Sequence, residues 1–327
     1  MRKGVNITLF ILKFHLFYYI LKVDIYQDIF HLIFILNIII TYVIANNKQD
    51  IIELRKKQLA VDDNLTPMLA LQSITINPTE LCNRTCHFCP RSDSKIYPNQ
   101  NLHISENTIR KLSSELKLNN YTNRVGWSGN GEPLLTKDFY KLVKIISDEN
   151  PQLKVHEINT NGDKIKPETI DRIFNAGINH IIVSLYDGDD QLEKFTSMFQ
   201  GYNTESFTLR KSYYTSDSFD GFTSRAGAVE VNTNLLKDNI KNKCYLPFYK
   251  LFIDWNGDQI LCCEDWFKLT KNKLNINTHT LKEIWESTFL NNYRTHLKAG
   301  KRDLTACNKC NINGEKVGEQ YTEYFKL

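Results

Sequence analysis

Residues 82–90 read Cys82-Asn83-Arg84-Thr85-Cys86-His87-Phe88-Cys89-Pro90, and the spacing of the three thiols decides how the rest of the chain is read. Thiolates three and four positions apart can converge on one centre without bending the backbone far. A structural zinc closes its shell with four ligands, whereas this loop offers three cysteines and the next, Cys244, lies 155 residues on. His87 could be a fourth ligand or simply fill the loop. Three thiolates alone suit an iron–sulfur cluster with one iron left open to a small molecule. The other cysteines, at 244, 262, 263, 307 and 310, form a second group, with none before Cys82 and none after Cys310. In a small secreted chain eight cysteines would suggest disulfides. In a chain of 327 residues without a clean signal peptide the clustering points to metal sites instead.

The segment Cys82–Pro90, with an aromatic residue just before its last cysteine, resembles the signature of the radical S-adenosylmethionine (radical SAM) enzymes. The resemblance implies that Cys82, Cys86 and Cys89 hold a [4Fe-4S] cluster, with Phe88 beside it, and that S-adenosylmethionine (SAM) chelates the unique iron. It also implies that an electron from a flavodoxin- or ferredoxin-type donor cleaves SAM to a 5′-deoxyadenosyl radical, which abstracts hydrogen from substrate. The protein's part would be to hold the cofactor, aim the radical and exclude water.

Downstream of Cys89, strand-like and helix-like segments alternate, which predicts an α/β fold: a partial (β/α)6 TIM-like barrel with its chemistry on the C-terminal rim. Strands are expected at 71–77, 124–128, 155–159 and 181–185, with 206–211 and 228–232 as the fifth and sixth. Ser105 and Thr136 are expected to open amphipathic helices, and a third should run from Pro167 to Gly177. Gly129-Asn130-Gly131-Glu132-Pro133, after the second strand, resembles the family's Gly-Gly-Glu-Pro element, with Asn130 in place of a glycine. The resemblance implies that Gly129, Asn130 and Gly131 contact the SAM amino group largely through backbone atoms, while Glu132 orients the site. Asn161 and Ser184 stand where the family meets SAM, the latter at its ribose. Arg210 is a candidate for the SAM carboxylate and Arg225 for the substrate.

Cys244-x12-Gly257-x4-Cys262 resembles the opening of the SPASM extension found on many radical SAM enzymes. Asn256-Gly257 between two apolar runs predicts a hairpin, and a helix is expected from Leu281 to about Leu297. Cys244, Cys262, Cys307 and Cys310 would then ligate a second, fully closed [4Fe-4S] cluster, a four-cysteine zinc site being the alternative. Cys263 could be a small buried residue, an alternative ligand, or a thiol hydrogen donor to a substrate radical. No cysteine follows Cys310, so the region resembles the shortened form with one auxiliary cluster. Relatives of that form act on sugars and aminocyclitols, which favours a small, carbohydrate-like substrate for oxidation or epimerisation. A peptide substrate, and a non-enzymatic zinc module, stay open.

The remaining expectations concern the whole chain. A net charge of +4 without a long basic run gives no argument for nucleic acid. Residues 7–45 are strongly apolar, and Ile29–Ala45 is 17 residues without a formal charge, short of the ~20 that a spanning helix needs. A removed signal peptide is not expected, because no small-residue cleavage site follows. The segment reads as a membrane-associated hairpin or span, as a helical layer on the barrel, or as untranslated if synthesis starts at Met68. The organisation expected is an apolar extension and linker at 1–67, the barrel at 68–240 and a Cys-rich β-hairpin/helix domain at 241–327. The enzyme is expected in the cytoplasm, membrane-associated if 7–45 binds lipid.

Overall fold

The computed structural model describes residues 44–45, 53, 66–212, 223–230, 242–271, 274–315 and 317–327. The apolar run 7–45 and the linker after it lie almost wholly outside these residues. Among the described residues no helix is long and apolar enough to cross a membrane.

From residue 73 onward the chain alternates strictly at first: β1 Ser73–Ile76, α1 Glu106–Leu118, β2 Arg124–Trp127, α2 Phe139–Glu149, β3 Val155–Thr160, α3 Pro167–Asn175, β4 His180–Leu185, α4 Asp189–Met198 and β5 Phe207–Lys211. Then come the short helix α5 Leu246–Tyr249, β6 Lys250–Ile253, β7 Gln259–Ile260, α6 Leu281–Trp285 and α7 Thr288–Lys298. The strands from Ser73 to Ile260 lie in the order β5-β4-β3-β2-β1-β6-β7. Every pair but the last is parallel, and β6–β7 is antiparallel. The sheet is open, an incomplete barrel of the expected α/β class.

Local chemistry explains most of the boundaries. Ser105 accepts the Thr108 amide and opens α1, whose Ile109, Leu112 and Leu116 are buried. Pro167 starts α3, and Gly177 at φ +103° turns the chain towards β4, a conformation that favours glycine. Gly257, at φ +87°, closes the β6–β7 hairpin as expected of Asn-Gly.

Three expectations shift. α2 opens at Phe139 after Asp138, not at Thr136, because Asp138 takes the left-handed conformation and turns the chain. The helix read over 281–297 is two, since Ser287 leaves the helical conformation and caps α7 by accepting the Leu290 amide. Residues 228–230 form no strand, and 231–232 lie outside the described residues. The sixth parallel strand is β6, on the far side of β1, with Thr75 paired to Phe252. It comes from the region assigned by sequence to the C-terminal domain.

Candidate active site

The loop after β1 brings Cys82, Cys86 and Cys89 to one cavity of about 310 Å³ over the C-terminal ends of the strands. Arg84 ties this loop to the turns after β3 and β4. Its guanidinium meets Asp163, with Nε at 2.7 Å, and Asp187, with Nη1 at 2.8 Å. Asn83 adds a bond from Nδ2 to Asp163 at 2.6 Å. Phe88 packs on Tyr186, ring centres 5.4 Å apart. His87 is exposed and stands outside the cavity lining.

The turn after β2 forms the next edge. A Cβ on Gly131 would lie 2.6 Å from the Leu81 carbonyl oxygen, and one on Gly129 would collide with the Asn77 side chain, so both positions require glycine. The Glu132 amide donates to the Leu81 carbonyl at 2.7 Å, locking the turn to the start of the cysteine loop. Asn130 is anchored rather than open: its amide donates to Asn77 Oδ1 at 2.9 Å and its Nδ2 to the Tyr97 hydroxyl at 2.8 Å. Its carbonyl accepts Arg91 Nε at 2.6 Å. The buried Glu132 carboxylate accepts from Thr160 Oγ1 at 2.6 Å, the Asn161 amide at 2.8 Å and the Leu134 amide at 3.1 Å. Burial outweighs these bonds and pushes its pKa up to about 7.

Asn161 lines the cavity, but its Nδ2 donates to Asn83 Oδ1 and its Oδ1 accepts the Asp163 amide. It thus positions the cysteine loop. Ser184 is buried and does not line the cavity. Its hydroxyl donates to Asn159 Oδ1 at 3.0 Å and accepts from Arg210 Nη2, and both of those partners do line it. Arg210 Nε is buried without a hydrogen-bond partner among the described residues. Arg225 also reaches the cavity, ion-paired to Glu264 at 3.2 Å.

The consecutive cysteines 262 and 263 separate. Cys263 lines the cavity of Cys82, Cys86 and Cys89, whereas Cys262 lines a second, smaller one together with Cys244, Cys307 and Cys310. Buried Arg302 holds that second group's frame, donating to the Asn242 and Lys243 carbonyls at 2.8 and 3.0 Å. Burial raises the Cys244, Cys262, Cys307 and Cys310 thiols, and its neighbouring cysteines push Cys262 further up. Four such thiols can ionise together only with a cationic partner in their midst, which is what an iron–sulfur cluster supplies. Among the described residues no three His, Cys, Asp or Glu side chains crowd closely enough to hold one lone metal ion.

The sequence did not signal the buried network behind the glycine edge. Glu80 accepts from Tyr97 at 2.7 Å, Lys268 at 2.8 Å, Asn77 at 2.8 Å and Arg91 at 3.2 Å. Asp254, just after β6, meets Lys268 at 2.6 Å and Asn77 at 2.8 Å. Two carboxylates and two cations from three segments thus converge beneath Asn130. Only the position of Asp254 at the end of an apolar strand hinted at this.

The model of the radical SAM superfamily matches residues 76–207, and that of the SPASM iron–sulfur cluster-binding domain matches residues 244–311. This chain is a radical SAM enzyme. The radical SAM match ends at Phe207, where β5 begins, and the SPASM match takes in all five C-terminal cysteines. Such an enzyme works with a [4Fe-4S] cluster and SAM in its core and an auxiliary cluster in its SPASM region, and the two thiol-lined cavities fit those groups. The chain is 25% identical to the S-adenosyl-L-methionine-dependent 2-deoxy-scyllo-inosamine dehydrogenase of Niallia circulans, over 76% of this chain and 96% of the relative. It is 30% identical to the GTP 3′,8-cyclase of Campylobacter curvus over 37% of each. In fold it is similar to the crystal structure of BtrN in complex with AdoMet and 2-DOIA, with a TM-score of 0.64 and 23% identity over 77% of this chain and 97% of that one. Streptococcus suis SuiB bound to precursor peptide SuiA shares the fold more loosely, with a TM-score of 0.52 and 15% identity over 79% and 72%.

Proposed function

We propose that this radical SAM enzyme oxidises or epimerises a small, polyhydroxylated substrate of the sugar or aminocyclitol kind. The observation that carries the reading is the cavity that joins Cys82, Cys86, Cys89 and Cys263 to a glycine edge and a polar inner wall, so that a polar substrate can lie beside the cofactor. The likeness to a dehydrogenase of an aminocyclitol along nearly that relative's whole length supports it.

When bound, the cluster and SAM supply a 5′-deoxyadenosyl radical that can take a hydrogen atom from substrate carbon. In our reading Cys82, Cys86 and Cys89 ligate that cluster, with Phe88 packed beside it. Gly129 and Gly131 offer backbone to the SAM amino group, Asn130 holds that edge with its own amide and carbonyl taken by Asn77 and Arg91, and Arg210 offers its spare Nε to the carboxylate. Glu132 and Asn161 hold the turn after β3 in place, and Ser184 acts through Asn159 and Arg210. Arg225 faces the substrate. Cys244, Cys262, Cys307 and Cys310 ligate the auxiliary cluster, and in epimerisation the Cys263 thiol gives a hydrogen atom to substrate carbon, its thiyl radical then restored by one electron from the electron-donor protein and one proton. The electron comes from a flavodoxin- or ferredoxin-type partner in the reducing cytoplasm, with membrane attachment, where it occurs, through residues 7–45. Residues 68–240 form the core and 241–327 the auxiliary domain, with β6 lent back to the core sheet.

Anaerobic reconstitution tests the assignment. About eight irons per chain, in two four-iron clusters, and release of 5′-deoxyadenosine on reduction are expected. Stoichiometric zinc with no visible iron–sulfur absorbance and no SAM cleavage would overturn it.

A further inference from the structure

The turn from Ser224 to Ala228 takes a shape that residues with a Cβ avoid. Arg225, Ala226 and Gly227 stand in succession at φ +48°, +51° and +91°. Left-handed backbone is costly for arginine and alanine, and such strain persists only where the surroundings hold it. The holding comes from the auxiliary region. The Ser224 amide donates to Asn311 Oδ1 and the Ser224 hydroxyl to the Lys309 carbonyl, both at 2.6 Å. Gly227 lies against the Lys309 side chain, where a Cβ would come within 2.9 Å of it. Lys309 and Asn311 flank Cys310, one of the four thiols of the second cavity.

Neighbouring side chains of this turn face different cavities. Ala226 lines the second one and packs against Cys310 and Ala306, whereas Arg225 lines the cavity of Cys82, Cys86 and Cys89. Arg225 Nη1 donates to Glu264 Oε1 at 3.2 Å, and Glu264 itself lines the second cavity. The ion pair therefore runs from one cavity to the other. Thr223 Oγ1 adds a bond to Glu264 Oε2 at 2.5 Å. With Nη1 taken, Arg225 keeps a buried Nε that has no hydrogen-bond partner among the described residues, a donor for a substrate oxygen. We propose that Ser224 and Asn311 are positioning residues for substrate: they hold the strained turn, and through it the auxiliary region presents Arg225 to the catalytic cavity. The proposal rests on the reading above, in which Arg225 faces the substrate, and adds what sets its position. Substrate affinity is governed from the auxiliary side, and SAM affinity is not.

The test is calorimetric titration of the anaerobically reconstituted full chain, loaded with SAM, using 2-deoxy-scyllo-inosamine as the probe. Arg225→Met is expected to weaken probe binding about ten-fold or more. Ser224→Ala and Asn311→Ala should each weaken it about five-fold, with the parent's iron content and SAM affinity. In the Arg225→Met background neither should weaken it further, because both act through that side chain. Ser224→Thr keeps the hydroxyl and should bind as the parent does. Parent-like probe affinity in Ser224→Ala and Asn311→Ala, with Arg225→Met weakened, would overturn the positioning role and leave the substrate class standing. Losses that add to that of Arg225→Met would also overturn it. So would loss of iron or of SAM affinity in the Ser224 and Asn311 variants, since the turn would then serve the clusters or the cofactor. Parent-like binding by Arg225→Met would take Arg225 away from the substrate and the proposal with it. No probe binding by the parent protein would overturn the aminocyclitol reading and the positioning role together.

Discussion

At the scale of single residues, Glu132 shows how a motif letter acquires a physical role. The sequence marks it as part of a cofactor-binding turn. The structure shows a buried carboxylate that accepts three hydrogen bonds and clamps the turn after β3. Its pKa stands at about 7 when folded against an ordinary value of 4.5. A carboxyl raised in this way contributes its full stability below pH 4.5, and the contribution drains away as pH rises to 7, because the folded state must then ionise a buried group. Denaturant unfolding of the cluster-free chain should lose about 1.4 kcal/mol per pH unit across that window relative to Glu132→Gln. Parallel pH profiles for the two proteins would show the carboxyl to be ordinary. Asn130 carries a related lesson. A missing glycine looks like a defect in the motif, yet its amide side chain is held by Tyr97, and the neighbouring Gly131 supplies the close approach that sterics demand. Cys263 was legible as a residue without an obvious partner. Which cavity it faces was not, because adjacent cysteines differ only in the direction their side chains leave the chain.

At the scale of elements, the alternating core was legible from hydrophobic patterning and caps: Ser105, Pro167 and the Asn256-Gly257 turn act as their chemistry predicts. The pieces that escaped reading depend on convergence in space. Glu80, Asp254 and Lys268 each look like solvated loop charges, and only their meeting beneath the glycine edge makes them a unit. That unit joins the cysteine loop, the end of β6 and the loop following Cys263, with Lys268 only 19% exposed. Removing one member of a buried ionic group strands the others. Lys268→Met should therefore cost about 3 kcal/mol in denaturant unfolding. The double variant Lys268→Met/Glu80→Gln should cost less than the sum of the two single changes. Strict additivity would show that the three segments are held together by packing alone.

At the scale of the whole molecule, the two cavities divide the labour, and substitutions in each should fail differently. Cys82→Ala is expected to abolish SAM cleavage. Cys307→Ala is expected to leave 5′-deoxyadenosine release within a few-fold of the parent and to lose the product, with about four irons fewer per chain. Loss of cleavage in both would make the auxiliary group a purely structural support. The late arrival of β6 has a further consequence, in time rather than in space. Asn77 and Asp254, at the ends of neighbouring parallel strands, are 177 positions apart in sequence. While the ribosome makes the residues between them, on the order of ten seconds or more, β1 waits with one backbone edge unpaired, a template for wrong partners. A nascent chain stalled or cut before β6 would therefore be an aggregation hazard, not a smaller working enzyme. The C-terminal region thus acts as an obligatory last step in making the catalytic core, and the yield of active enzyme should depend on how well that edge is protected until then.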